Sequence, residues 1–286
     1  MKKKKVLDLL NFWLRPKDTL LIEFQDHILG ADKTNRIFID RKSDILFVAH
    51  IDTVHTPELR KHQNNRIWAS GLDDRLGCAI AYELSKSWNV DLLICDHEES
   101  GFSSGQHHEL KEYNWIAEFD RSGGDVVTYD LENDEFTDCL KEYFTIGWGT
   151  FSDLCLLKTK ACCVNIGIGY KHDHSIDSFV DIGVLNNQLA KFRKFYHKNK
   201  TTKFVQDPEK MKNNVYQMFG AYSDFQYGFE KDAYDDYYKE CDYCGNIGGT
   251  EIYGNNICPD CFDQMTSEFL YGTWAKNKYG NVDYGR

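Results

Sequence analysis

No stretch of this sequence approaches the roughly 18 consecutive apolar residues that span a bilayer, which argues against a membrane-spanning helix. Positive charge is also in short supply. Lys and Arg total 34 against 45 Asp and Glu, a formal net charge of -11. That balance speaks against broad binding to nucleic acid or to anionic membrane surfaces. An export signal lacks its essential parts. The opening MKKKKVLDLLNFWL has the lysines of a signal peptide, but Asp8 and Asn11 interrupt its apolar portion and no small-residue cleavage site follows. It reads better as an amphipathic first helix with Val6, Leu9, Leu10, Trp13 and Leu14 facing inward. No internal repeat is evident.

What is present is enough for a sizeable core. The 286 residues are 42% hydrophobic, which suits one larger domain and a small second one. The ten cysteines fall into two groups. Cys78, Cys95, Cys139, Cys155, Cys162 and Cys163 are scattered, mostly within apolar stretches, and read as buried reduced thiols of a cytoplasmic protein. The other four cluster near the end.

Short apolar runs alternate with helical spacing along the first 198 residues. Arg36–Asp40, Asp44–Ala49, Val90–Cys95, Asn114–Phe119, Asp125–Tyr129 and Cys162–Ile166 read as strands. Leu20–Leu29, Leu76–Trp88, Glu135–Phe144 and Asn186–Lys198 read as helices. The alternation predicts an α/β sandwich with a mostly parallel central sheet. Residues 199–240 change character, becoming polar and then acidic and tyrosine-rich, as expected of a linker or arm.

In such sheets ligands bind beyond the carboxyl ends of the strands, so the residues that follow each strand matter most. His50, Ile51 and Asp52 follow the Asp44 strand. Asp73 and Asp74 open the Leu76 helix. Asp96, His97, Glu98 and Glu99 stop the apolar run Leu92–Cys95. Asp120 follows the Asn114 strand, and His174 lies on a glycine-rich loop after the Cys162 strand. A rim of uncompensated carboxylates is unfavourable, and divalent cations remove the penalty. Nitrogen and oxygen donors leave such a cation Lewis-acidic and open to water, as catalysis requires, and one carboxylate can bridge two ions. Two adjacent glutamates then make sense: one holds metal while the other stays free as a base.

The motifs VAHIDTV, GLDDRLGCA, DHEESG, EFDRSG and GYKHDHS, in this order, resemble the zinc-dependent exopeptidase superfamily. That group includes co-catalytic dinuclear aminopeptidases, peptidase T-like enzymes, carboxypeptidases and aminoacylases, and GLDDRLGCA looks closest to its glutamyl aminopeptidase branch. The resemblance covers roughly Leu20 to Lys198. It implies a three-layer α/β/α phosphorylase/hydrolase-like fold and two catalytic divalent metals, expected to be zinc. It further implies that His50 and Asp120 hold one metal, Glu99 and His174 the other, and that Asp73 bridges them. A cis peptide is implied between Asp73 and Asp74. Asp52 would orient His50 through the imidazole's far nitrogen. Glu98 would be the general base, taking a proton from the attacking water and delivering it to the leaving amine. Only about 50 residues separate Asp120 from His174, which leaves no room there for the lid or dimerisation domain that many members insert.

Blander roles remain beside these. His50 can be an ordinary strand-end histidine, Asp73 a helix cap, and Glu98 and Glu99 a solvated turn. His172 competes with His174, while Asp96 and Asp125 compete with the assigned carboxylates. His55, His97, His107 and His108 read as surface or near-site residues. Thr150 and Asp153 have capping-box spacing, although the resemblance also puts Asp153 near a substrate amine. Arg75 and Arg121 adjoin metal positions and suit either a substrate carboxylate or local charge balance.

The tail carries Cys241, Cys244, Cys258 and Cys261: C-x2-C, a 13-residue gap, then C-x2-C. Four thiolates presented this way make a closed tetrahedral site for a structural Zn2+, and residues 241–286 resemble a zinc ribbon-like module. Such a module suits a protein partner or a staple on the catalytic domain. Residues 1–198 are thus expected to be a dinuclear metallohydrolase of amide bonds, most simply an aminopeptidase, acting on peptide or small amide substrates. Two alternatives stand: an inactive, peptidase-like adaptor acting through the zinc module, and a small-molecule N-acyl amide deacylase.

Overall fold

The structure is a computed structural model that describes residues 1–149 and 151–211, and the backbone of 250–252 and 255–257. Cys241, Cys244, Cys258 and Cys261 lie outside the described residues, as do Thr150 and residues 212–240 of the acidic arm. The chain begins with α1 (Lys3–Trp13) and α2 (Lys17–Glu23). Five strands follow: β1 (Ile28–Leu29), β2 (Arg36–Ile39), β3 (Ile45–His50), β4 (Glu58–Gln63) and β5 (Arg66–Ser70). Then come α3 (Leu72–Trp88), β6 (Asp91–Cys95), β7 (Trp115–Arg121), β8 (Val126–Val127) and α4 (Asp134–Lys141). The unit closes with β9 (Cys162–Gly167), β10 (Tyr170–Lys171), β11 (Phe179–Asp181), α5 (Ile182–Asn199) and the short α6 (Pro208–Met211).

The central sheet has seven strands in the order β1-β2-β6-β3-β7-β9-β8. Strands β6, β3, β7 and β9 run parallel, while β1, β2 and β8 add antiparallel margins. Every residue of β3, β6 and β9 is buried, which is why they read as unbroken apolar runs: a parallel strand is covered on both faces. Side chains alternate between the faces. Ile45, Phe47 and Ala49 of β3 join the core beneath α1, α3 and α5, with Leu10, Trp13, Leu76, Ile80, Phe192 and Phe195. Leu46 and Val48 point the other way, onto Tyr113, Leu154 and Leu157. That second face is covered by connecting segments and by 3-10 turns at Ser104–His107 and Asp153–Leu156.

The mixed α/β fold with a mostly parallel sheet is as expected. Two details differ. The helix expected over Leu20–Leu29 ends at Glu23, passes through a 3-10 turn at Gln25–His27, and gives way to β1. Ile28 and Leu29 instead pair with Ile37 and Arg36 around Gly30 (φ 85°), so sheet pairing overrides the helical spacing. The Asp125–Tyr129 strand shrinks to Val126–Val127, because Tyr129 and Asp130 adopt left-handed backbone angles (φ 54° and 59°).

A second sheet, β10-β11-β5-β4, was not legible in the sequence. β4 is almost wholly exposed, and its charges hide any period. The inner face of this sheet buries Ile67, Ala69, Tyr170 and Val180, and its β5 leads directly into Asp73. After α5 the chain stays on the core. The Phe204 N–H donates to the Asn114 carbonyl at 2.9 Å, the Phe204 carbonyl accepts from Cys162 at 3.0 Å, and its ring is buried. In the C-terminal unit, β12 (Thr250–Ile252) and β13 (Asn255–Ile257) form an antiparallel hairpin within the interval between Cys244 and Cys258.

Phe192 fastens α5 to the sheet. Its ring centroid lies 5.0 Å from that of Phe119 and 5.7 Å from that of Phe47, with no exposure to solvent. Phe192→Ala should cost about 3–5 kcal/mol of unfolding free energy in denaturant titration. A loss below about 1 kcal/mol, well short of the usual cost of a core Phe truncation, would show that the site relaxes around the missing ring.

Candidate metal centre

β3 ends on His50, whose side chain is fully buried. Its Nδ1 lies 3.4 Å from Asp52 Oδ1. Its Nε2 faces three carboxylates: Asp120 Oδ1 at 3.4 Å, Asp73 Oδ1 at 3.5 Å and Glu98 Oε2 at 3.7 Å. Across the cleft, His174 Nε2 lies 3.0 Å from Glu99 Oε2 and 3.4 Å from Asp73 Oδ2. Two donor triads result, His50/Asp73/Asp120 and Asp73/Glu99/His174. Asp73 belongs to both, one oxygen toward each histidine. Glu98 stands beside the inner triad and is a member of neither.

The backbone that carries these groups is held by polar side chains. Asp52 accepts from the N–H groups of Glu98 (3.2 Å) and Glu99 (3.0 Å), so one carboxylate fixes the glutamate turn while touching His50. Burial opposes the charge on Asp52, but the His50 imidazole and the Glu99 N–H prevail and hold it down at about 2. The turn is framed by left-handed residues, His97 (φ 74°) and Gly101 (φ 69°). The Asp73–Asp74 peptide is cis, as the sequence resemblance implied. Asp74 is buried and accepts from the His50 N–H at 3.2 Å and the Gly77 N–H at 2.9 Å, joining β3 to α3. Asn165 of β9 clamps the main chain of Asp120, accepting from its N–H at 3.0 Å and donating to its carbonyl at 3.1 Å.

Asn165 was missed in the sequence reading, although a signal existed. An amide within the buried run Cys162–Gly167 needs a partner, and here the partner is a site residue. Glu118, also fully buried, went unremarked; burial and the neighbouring Asp120 push its carboxyl well above the usual range.

The residues that compete with these assignments have other partners. Asp96 is paired with Lys17 (3.0 Å) and Asp125 with Arg121 (2.8 Å), away from both triads. His172 packs edge-on against Phe179, and His108, buried beside Phe38, is pushed down to about 4 by burial. Arg75 is buried and donates to the Trp13 and Arg15 carbonyls at 2.8 and 3.1 Å, so it ties α1 to α3 rather than awaiting a substrate. Asp153 is the first residue of a 3-10 turn whose N-cap is Ser152; it is not the fourth member of a capping box. Full burial pushes its carboxyl up to about 7, against the opposing pull of His50.

The donor set fits divalent cations. Both ring nitrogens of His50 and Oε1 of Glu99 are buried without a hydrogen bond among the described residues, although carboxylates surround them. Without a cation this crowding is costly. Burial and the Asp73 carboxylate raise Asp120 to about 8. Burial, Asp120 and Asp153 raise Glu98 well above its ordinary range, against the opposing pull of His50. The bond to Glu99 raises His174 to about 9 despite partial burial.

No family model and no curated protein matches the sequence. Solved structures do. A tripeptidase from Staphylococcus aureus superposes with a TM-score of 0.50 at 10% identity, over 68% of this chain and 98% of the other. Aminopeptidase PepT from Bacillus cereus gives 0.49 at 12% identity, over 68% and 98%. An aminopeptidase from the archaeon Desulfurococcus kamchatkensis gives 0.45 at 12%, over 70% and 91%. At such identities the tripeptidase likeness speaks to the fold alone, and it agrees with the α/β fold expected from the sequence.

A cation must displace protons to bind here. Asp120 (about 8) and His174 (about 9) are both mainly protonated at pH 7 in the metal-free protein, and ligands bind as their deprotonated forms. Metal uptake at pH 7 should therefore release protons, and affinity should rise as pH rises from 6 toward 9. Titration calorimetry in buffers of different ionisation enthalpy measures the release; none at pH 7 would refute the crowding described.

Proposed function

We propose that residues 1–198 form a dinuclear metal-dependent hydrolase of amide bonds, acting as an aminopeptidase or a related exopeptidase. The observation that carries this reading is the placement of Asp73, with one oxygen toward each of two His/carboxylate triads and a third carboxylate, Glu98, free beside them. His50, Asp73 and Asp120 would hold one ion, and Asp73, Glu99 and His174 the other. When bound, the pair would polarise the scissile carbonyl and make water acidic enough to attack near neutral pH.

Glu98 handles the protons. Its carboxylate accepts one from the attacking water, and the resulting acid returns it to the leaving nitrogen as the amide bond breaks. Asp52 fixes this residue through its main-chain N–H, so the carboxyl stays aimed at the cleft while the neighbouring Glu99 turns to His174. Val54, His55, Leu72, Ser175 and Ser178 line the space beside the outer triad, where a substrate would lie. The fold likeness to a tripeptidase supports a peptide substrate. The same reading gives Cys241, Cys244, Cys258 and Cys261 a structural zinc in a separate C-terminal module available to a protein partner, and a cytoplasmic location.

Glu98→Gln keeps the shape and removes the base. It should retain wild-type metal content by elemental analysis and lose turnover by roughly 10²–10⁴-fold; full activity would take Glu98 out of the mechanism. Glu99→Ala should lose one ion per chain, and unchanged metal content would refute its assignment. Aminoacyl amides tested beside N-acyl amides separate an aminopeptidase from a deacylase. Hydrolysis of neither class by the metal-loaded wild type would favour the adaptor alternative.

A further inference from the structure

The two triads are built on unequal supports. His50 is fixed within β3 and its side chain is fully buried, whereas the His174 side chain is 59% exposed. His174 also sits on the connection between β10 and β11 with a left-handed backbone (φ 52°), a conformation uncommon for a non-glycine residue. Among the described residues, one hydrogen bond reaches its main chain: His55 Nε2 lies 3.0 Å from the His174 carbonyl oxygen. Since the oxygen can only accept, His55 carries its proton on Nε2 and donates.

His55 is itself anchored. The Thr53 hydroxyl donates to the His55 carbonyl at 2.9 Å, and the Ser70 hydroxyl donates to the Thr56 carbonyl at 2.7 Å. Pro57 lies against Gly71 so closely that an added Cβ there would sit 3.1 Å from its ring. Gly71 is two residues before Asp73. The loop bearing His55 is thus fastened to the segment bearing the shared carboxylate, and its imidazole reaches across the cleft mouth to the outer histidine.

We infer that His55 is a positioning residue of the outer triad: by holding the His174 carbonyl it keeps the His174 imidazole aimed at Asp73 and Glu99, and so sets how tightly that triad holds its cation. The inference rests on the two-triad reading, and it assigns His55 a role that needs no contact with metal or substrate. Among the described residues the His55 side chain makes no hydrogen bond to His50, Asp73 or Asp120, its one bond being to the His174 carbonyl.

The test is a Mn2+ titration of the metal-free full chain, followed by the electron paramagnetic resonance of the free ion. Mn2+ prefers oxygen and nitrogen donors, so the C-terminal thiolates stay out of the measurement. In the wild type, the binding step that Glu99→Ala abolishes identifies the outer triad. His55→Ala should weaken that step about fivefold, the scale of one net hydrogen bond, and leave the other step and the thermal unfolding midpoint of the metal-free protein unchanged. His55→Gln, whose Nε2 can donate to the same carbonyl, should restore the affinity. Wild-type affinity at both steps in His55→Ala, equal weakening of both, or no recovery in His55→Gln would each overturn the inference while leaving the two triads standing. A wild type that takes up no Mn2+ would overturn both readings together.

Discussion

Mutual repulsion among carboxylates is the constraint around which this molecule is arranged. Asp52, Asp73, Glu98 and Asp120 all lie within 3.7 Å of the buried imidazole of His50, and Glu99 joins them through the second oxygen of Asp73 and His174. Two like unit charges 4 Å apart repel by on the order of 4 kcal/mol at the effective dielectric of a protein. A protein alone meets that load by protonation, and the raised carboxyls of Glu98, Asp120 and Glu118 are that response. Divalent cations, whose charge offsets that of the carboxylates, would meet it better.

Such a cluster needs rigid supports, and the fold supplies them through polar clamps on the backbone. Asp52 holds both glutamate N–H groups, Asp74 ties β3 to α3, and Asn165 brackets Asp120 from the next strand. None of these three belongs to either donor triad. Each joins segments distant in sequence, so the site is as rigid as the sheet beneath it. The outer histidine is the exception: it stands on a loop, and His55 reaches it from another loop.

Much of the central sheet was legible because parallel strands covered on both faces must be apolar at nearly every position. Ile45–Ala49 and Leu92–Cys95 show this plainly, and the polar residues that end such runs fall at the carboxyl ends of the strands, the usual place for ligands in open α/β sheets. That is how His50, Glu98, Glu99 and Asp120 stood out. The four-stranded sheet was illegible for the opposite reason. β4 is exposed and charged, and β10 and β11 have two and three residues, too short for any period to form. The helix expected to reach Leu29 failed because spacing cannot say that Ile28 and Leu29 will find a partner in Arg36 and Ile37.

The sequence by itself determined which chemical groups are available and in what order: imidazoles, paired glutamates and aspartates placed after apolar strands, at a net charge that leaves them short of cationic partners. Chain order and residue type are local properties and can be read along the line. Only the tertiary structure decided that Asp73 would offer one oxygen to each histidine, that Asp153 would be buried rather than displayed, and that His55 would touch His174 from 119 residues away. Those outcomes depend on distances between segments that meet only after the sheet has closed; the motifs implied the shared role of Asp73, but neither the burial of Asp153 nor the His55 contact.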